Sequence, residues 1–227
     1  MRKLSGSPAR ADRYQPTVLA LGMGHGFSDA AAGYLVGGFS ANTSFTDLGV
    51  AIMLYNLLAF GGQLPAGIWL DRVGHYREAA IISLLSMAGA LVLLGNDLIW
   101  PAVVLAGLSS AIYHVAGGAI TLRSFPEKSR FVGIFSAFGV LGLALGGWSG
   151  TMHWAGVSYL LICGLLILAL IVGNVKLPLS RPQLVVPEKP QLDRHDYLMI
   201  LLLTAIAMRS AVWNMIQLLY AHQYDWL

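Results

Sequence analysis

Seven mostly apolar stretches alternate with short polar ones along the chain, over residues 18–39, 47–70, 79–95, 99–122, 130–149, 155–173 and 198–220. A helix rises 1.5 Å per residue, so about 20 apolar residues carry it across the hydrocarbon of a bilayer. Each stretch approaches or exceeds that length. The third and sixth are apolar throughout. The first, fourth and fifth are rich in Gly, Ala and Ser, which lets helix backbones approach closely inside a membrane. The pattern predicts an all-α membrane protein. Residues 1–17 form a polar N-terminal segment, 18–173 a six-helix bundle, and 174–197 a polar linker holding Pro178, Pro182, Pro187 and Pro190. Residues 198–227 carry a seventh transmembrane helix. Six spans, a long loop and then more is the layout of a transporter built from two six-helix halves. On that layout 198–227 is the first helix of an incomplete second half, and the chain is a fragment, a split half or a self-assembling half.

The basic residues orient the spans. Arg2, Lys3, Arg10 and Arg13 precede the first, and Arg72 and Arg77 follow the second. Arg123, Lys128 and Arg130 follow the fourth, and Lys176, Arg181, Lys189 and Arg194 follow the sixth. Thirteen of the fourteen Lys and Arg residues therefore fall on one side of the membrane. The opposite loops, around 40–46, 95–98 and 150–154, hold none. The bias of Lys and Arg toward the cytoplasm places the N-terminus inside and predicts a multi-pass protein of a bacterial inner membrane. The first apolar stretch is too long for a signal peptide core and lacks a small-residue cleavage site, so it reads as a helix that stays.

Composition narrows the classes. Only 11% of residues are charged and 56% are hydrophobic, against about 25% charged in soluble domains. The net charge of +3 is carried by short loops, which argues against a nucleic-acid binder. The single cysteine, Cys163, lies in an apolar run and reads as a small hydrophobe. It supports neither an intrachain disulfide nor a cysteine metal cluster.

Four polar groups stand inside spans: His25 and Asp29 in the first, His114 in the fourth and Arg209 in the seventh. A charge at the bilayer centre costs at least about 2.5–3.5 kcal/mol, so such groups face a cavity or a partner. His25 and Asp29 are four residues apart and share a helix face. Asp29 lies about eleven residues, or roughly 16 Å, into its span. Arg209 lies at a similar depth and His114 somewhat nearer the cytoplasm. Near the midplane is where transporters hold substrate and coupling ions. The expectation is that Asp29 exchanges a proton and that His25 or Arg209 tunes it. Two His and a carboxylate would also suit a divalent ion, but no short ligand motif accompanies them. No metal, cofactor or catalytic residue is assigned.

The loop after the second span carries Gly67, Asp71, Arg72 and Gly74 at the spacing G-x-x-x-D-[RK]-x-G-[RK]-[RK]. It resembles the signature loop of the major facilitator superfamily. His75 and Tyr76 stand at its two basic positions, with Arg77 one place late. Gly67 would admit a close helix, Asp71 would pair at the membrane edge, and Gly74 would make a tight turn. The resemblance implies a conformational latch in which Asp71 and Arg72 form and break charge pairs. In the fifth span Gly133, Gly142, Gly146, Gly147 and Gly150 resemble the antiporter signature G-x8-G-x3-G-P-x2-G-G. Gly147 stands for its proline and Thr151 for its last glycine. Gly142, Gly146 and Gly150 make successive small-x-x-x-small steps, which predict a tight helix crossing. His25 with Asp29, and Tyr113 with His114, look like the fosmidomycin-resistance-like drug exporters within that superfamily. The resemblance implies twelve helices, a cavity lined by helices one, four, seven and ten, and a small solute moved with protons by alternating access. A second chain or second copy would then complete the bundle.

Two other classes fit seven helices. A retinal-type receptor needs a lysine within its last span, but Lys3, Lys128, Lys176 and Lys189 all lie outside the spans. An intramembrane enzyme would draw on Ser109, Ser110 and His114, with Ser110 one turn from His114.

Overall fold

The computed structural model describes residues 8–39, 44–125, 128–154 and 156–177, together with 197, 198, 200, 201, 204, 205, 208, 209, 212 and 216. All regular structure among them is helical. In chain order the helices are α1 (Pro8–Phe39), α2 (Phe45–Asn56), α3 (Gln63–Val73), α4 (Tyr76–Leu94), α5 (Ile99–Ser124), α6 (Ser129–Thr151) and α7 (Val157–Asn174). A π-helical turn over Leu57–Gly61 joins α2 to α3, so the two make one interrupted span. Most of the linker, residues 178–196, lies outside the described residues, as does much of the predicted seventh span. The described residues from 197 to 216 are helical.

Five helical stretches are long and apolar enough to cross a membrane: Asp47–Val73, Tyr76–Leu94, Ile99–Ser124, Ser129–Thr151 and Val157–Asn174. They match the second to sixth predicted spans. Helix α1 has the length, at 32 residues, but His25, Asp29, Ser28 and its glycines keep it out of that apolar set. It also begins ten residues before the apolar run, because hydropathy marks the membrane and not the helix. Pro8 suits its first position, where the missing N–H has no intrahelical role. The chain is an integral multi-pass membrane protein of all-α fold. Large apolar side chains face outward, among them Val140, Leu141 and Leu145 of α6 and Tyr159, Leu160 and Leu170 of α7. In water that surface would drive aggregation, whereas in a bilayer it is the solvated face.

Helix α1 packs against α6, α7 and α5; α4 packs against α5 and α7; the second span leans on α5. The crossing of α1 with α6 is the tightest. A methyl on Gly142 or Gly146 would overlap the carbonyl oxygens of Gly26 and Ala30, and one on Gly150 would lie 2.6 Å from that of Tyr34. From the other side, methyls on Gly33 and Gly37 would lie 2.5 Å from the Leu143 oxygen and 2.6 Å from the Gly147 oxygen. The two backbones touch with nothing between them. The expected packing role holds for Gly142, Gly146 and Gly150. It does not extend to Gly133, which faces open space, or to Gly147, where a methyl would reach only 4.0 Å from Gly33 oxygen.

The second span is interrupted for a local reason. Pro65 has no N–H to offer the carbonyl of Gly61, and Gly61 and Gly62 stiffen the helix least. The ladder slips by one residue there and resumes in α3. Gly74 then ends α3 in the left-handed region, φ 75°, with its N–H on the Leu70 carbonyl at 2.8 Å, the tight turn expected of it. Gly67 differs from expectation. A methyl there would meet Val115 at an ordinary 3.8 Å, so no close approach depends on it.

These contacts sort the glycines of α6. Gly146→Ala is expected to lower the thermal unfolding midpoint in detergent, at a cost of about 1–3 kcal/mol for overpacking. Gly133→Ala and Gly147→Ala should leave it at the wild-type value or slightly above. Equal effects at all three positions would show that α1 and α6 do not meet as described.

Candidate functional site: a buried histidine pair on a carboxylate

Three of the four predicted intramembrane groups come together. Four residues apart on α1, His25 and Asp29 pair at 3.2 Å between Nε2 and Oδ2. His114 of α5 brings its Nε2 to 2.9 Å from the His25 Nε2 and 3.9 Å from Asp29 Oδ2. Side-chain exposure is 6% for His25, 13% for Asp29 and 24% for His114, so the cluster is open on one side. Asp29 Oδ1 is buried without a hydrogen-bond partner. Arg209 is exposed and is not among the groups joined to Asp29 by any described ion pair or hydrogen bond.

The backbone assigns the protons. His25 Nδ1 lies 2.8 Å from the Phe135 carbonyl of α6, and His114 Nδ1 lies 2.7 Å from the Ser110 carbonyl. A carbonyl only accepts, so each Nδ1 carries a hydrogen and donates it. In neutral rings both Nε2 atoms are then bare lone pairs facing each other beside a carboxylate. At 2.9 Å that contact is repulsive unless a proton lies between the nitrogens. With one added proton it becomes an N–H···N hydrogen bond, and the imidazolium neutralises Asp29. A proton or other cation at the two Nε2 atoms would remove that repulsion.

That cation has two chemical forms. Two histidines and a carboxylate whose donor atoms lie within 4.8 Å of one another form a donor set for a divalent metal. Two nitrogens on a tetrahedral zinc at about 2.0–2.1 Å sit about 3.3 Å apart. The observed 2.9 Å is the length of a hydrogen bond. The spacing is therefore shorter than that of two zinc ligands and fits a hydrogen bond between the rings.

Two wall residues, Phe135 and Gly139, were not singled out above, and Tyr113 and Ser110 join them. Phe135 stacks on the His25 ring at 4.3 Å between centroids. Gly139 of α6 leaves room for the ring: a methyl there would lie 2.6 Å from His25 Nε2 and 2.8 Å from Asp29 Oδ2. Gly139, Gly142, Gly146 and Gly150 recur at three- and four-residue steps, and that helical face was the signal available for Gly139. Tyr113 is buried and donates to the Leu21 carbonyl at 2.9 Å, tying α5 to α1 one turn from His25. Ser110 Oγ lies 3.3 Å from His114 Nδ1. Because that nitrogen already carries its hydrogen toward a carbonyl, it is no base for Ser110, and a serine nucleophile gains no support.

The signature loop departs from expectation in its partners. The Tyr76 hydroxyl donates to Asp71, and Arg123 at the end of α5 donates to the Tyr76 oxygen at 2.8 Å. The Arg123 guanidinium also lies over the Tyr76 ring, 3.9 Å from its centroid, and 3.9 Å from Asp71. The residue replacing a basic side chain of the signature is therefore the hub. Arg72 is exposed at the last turn of α3 and forms no ion pair among the described residues, where its charge favours the helix dipole. Arg77 donates to the Val175 carbonyl at 2.5 Å, holding the end of α7. The pair is Asp71 with Arg123, which had been read only as a topology charge.

The sequence profile of the Major Facilitator Superfamily matches residues 17–226, and the chain belongs to that superfamily. Its members are membrane transporters, which work on small solutes within a bilayer. Comparison with curated proteins and with solved structures gives no match.

Replacing Tyr76 by Phe keeps the ring under Arg123 and removes both hydrogen bonds. A loss of about 1 kcal/mol is expected, small because Asp71 is largely exposed. Chemical denaturation with the helical signal as readout would measure it. Arg72→Ala should leave that midpoint unchanged.

Proposed function

We propose that this chain is a proton-coupled secondary transporter of a small solute, working by alternating access, in which His25, Asp29 and His114 hold the coupling proton. One observation carries the reading: two imidazoles with their Nδ1 atoms committed to carbonyls oppose their Nε2 atoms at 2.9 Å against a carboxylate. With the proton the group is close to neutral and tolerates a low dielectric. Without it Asp29 keeps its charge and faces two lone pairs, and the arrangement is driven apart. Gain and loss of one proton therefore favour different geometries, which is what coupling requires. The Asp71, Tyr76 and Arg123 contact is the latch at the membrane edge, with Gly67, Gly74, Arg72 and Arg77 around it.

The finer parts of the reading belong with it. The basic loops favour a cytoplasmic N-terminus in a bacterial inner membrane. The α6 glycines and the His25, Asp29, Tyr113 and His114 pattern favour proton antiport of the fosmidomycin-resistance-like type. In a complete cavity, closed by further helices of the same protein, a second chain or a second copy, Arg209 approaches Asp29 from the seventh span.

The test is proton movement. The chain is reconstituted in liposomes enclosing a pH-sensitive dye, and a panel of amphipathic drugs and organic ions is added from outside. At least one solute should move protons with the wild type. Asp29→Asn should cut that signal at least about tenfold, the loss of roughly 1.4 kcal/mol of coupling. Solute counterflow, which needs no net proton, should survive. Proton movement unchanged in Asp29→Asn would remove the assignment.

A further inference from the structure

A histidine that binds a metal presents one bare ring nitrogen and donates the hydrogen on the other to a carbonyl or carboxylate, which fixes its tautomer and its orientation together. Both histidines of the cluster are held in this way. His25 Nδ1 donates to the Phe135 carbonyl at 2.8 Å and His114 Nδ1 to the Ser110 carbonyl at 2.7 Å. Both acceptors are backbone atoms, so the assignment depends on no third side chain. The Phe135 ring, stacked on His25 at 4.3 Å between centroids, also fixes the plane of that imidazole. In the neutral rings three atoms without hydrogens then face one another: the two Nε2 atoms and Asp29 Oδ2. The second carboxylate oxygen, Oδ1, is buried and makes no hydrogen bond.

The three atoms form a triangle with sides of 2.9, 3.2 and 3.9 Å. The circle through its corners has a radius of about 2.0 Å, the length of a bond from zinc to an imidazole nitrogen or a carboxylate oxygen. One ion near the centre reaches all three without moving a helix. The side between the histidines is shorter than the roughly 3.3 Å of two zinc ligands, and the side between Asp29 and His114 is longer. Ion binding therefore asks the rings to part by a few tenths of an ångström and the carboxylate to turn toward His114. No hydrogen bond of Oδ1 resists that turn. Gly139 keeps the flank of the centre clear, since a methyl there would lie 2.6 Å from His25 Nε2 and 2.8 Å from Asp29 Oδ2. His114 is the most exposed of the three, which gives an ion a way in and leaves a further coordination position to water.

We propose that His25, Asp29 and His114 form a binding site for one divalent transition-metal ion, of the size and chemistry of zinc, inside the membrane span. Two imidazoles select zinc and its first-row neighbours over magnesium and calcium, which take oxygen ligands. The ligands come from α1 and α5, so a bound ion ties those two spans together. The inference goes beyond the proton reading and does not rest on it, because it uses only the bare nitrogens, the carboxylate and their spacing. Where both hold, ion and proton compete for the same atoms.

The test is direct binding. The full chain, freed of any affinity tag and stripped of metal with a chelator, is placed in nanodiscs and titrated with zinc chloride by calorimetry. One ion per chain is expected, and excess zinc should raise the thermal unfolding midpoint, as any ligand of the folded state does. Magnesium chloride should do neither. Asp29→Asn and His114→Gln should each weaken zinc binding at least about tenfold. Replacing the other four histidines, His75, His153, His195 and His222, by Gln should leave the affinity at the wild-type value. X-ray absorption of the zinc-bound chain should show two imidazoles at about 2.0–2.1 Å. No zinc bound, binding that survives His114→Gln, or binding lost with the other four histidines overturns the proposal. If His114→Gln does not fold, the wild-type absorption spectrum decides, and a coordination shell without two imidazoles is then the overturning result. Proton movement in liposomes is a separate outcome. Its absence sinks the coupling role and leaves the metal site standing, and a chain that moves protons but binds no zinc does the reverse.

Discussion

Everything at the site depends on the backbone contact between α1 and α6. Lipid offers no hydrophobic drive for one helix to prefer another, so association rests on close packing and on polar groups that find partners. Glycine on both helices removes the side chains that would hold the axes apart. The gain is more than dispersion energy. Once the backbones touch, the Phe135 carbonyl comes within 2.8 Å of His25, and Gly139 leaves the space that the imidazole fills. A wider crossing would leave His25 Nδ1 without its acceptor. Its tautomer would then be undefined, and its Nε2 would be free to carry the hydrogen. The glycine face and the histidine pair are one construction.

The second constraint is electrostatic. A lone carboxylate in the span would be costly, and a neutral histidine needs a donor and an acceptor placed for it. The cluster can answer both demands with the same atoms, because a proton shared by the pair would be the counter-charge of Asp29. The unpartnered Asp29 Oδ1 shows that the answer is incomplete within these helices. A carboxylate oxygen buried without a hydrogen-bond partner is a place where a donor would be bound favourably. In this sense the site is poised. It is satisfied enough to persist and unsatisfied enough to respond.

Much of this was legible in the sequence. Apolar stretches located the second to sixth spans within a few residues, since membrane thickness sets their length. Helical periodicity put His25 and Asp29 on one face, and depth within the span brought His114 to their level. What could not be read were partners distant along the chain. Arg123 looked like any cytoplasmic charge until α5 carried it over Tyr76, and Tyr76 looked like a loss of the signature when it is a substitute donor. Glycine positions were half legible. Their spacing announced a crossing, but only the partner backbone distinguishes Gly146, where a methyl collides, from Gly147, where it does not. Gly67 shows the opposite error, since a conserved-looking motif position has ordinary space around it. The first helix escaped the apolar criterion for the reason it matters: the residues that lower its hydropathy are the ones that form the site.

The interrupted second span runs from the level of the histidine cluster to the membrane edge. A continuous α-helix transmits displacement along its axis stiffly, and a π-helical turn is a place where the register differs by one residue and can differ again. Here that turn lies between a stretch packed against Gly107 of α5, through the Tyr55 carbonyl and Leu58, and a carboxylate held by Tyr76 and Arg123 at the membrane edge. Its cause is local, since Pro65 withholds a hydrogen bond and two glycines yield. The interruption therefore persists whatever the cation site is doing. A change of register at the turn would shift Tyr55 and Leu58 relative to Gly107 while leaving Asp71 in place, or the reverse. The two contacts need not change together, and an element that can shift at one end while held at the other is the kind of piece that linkage between distant sites draws on.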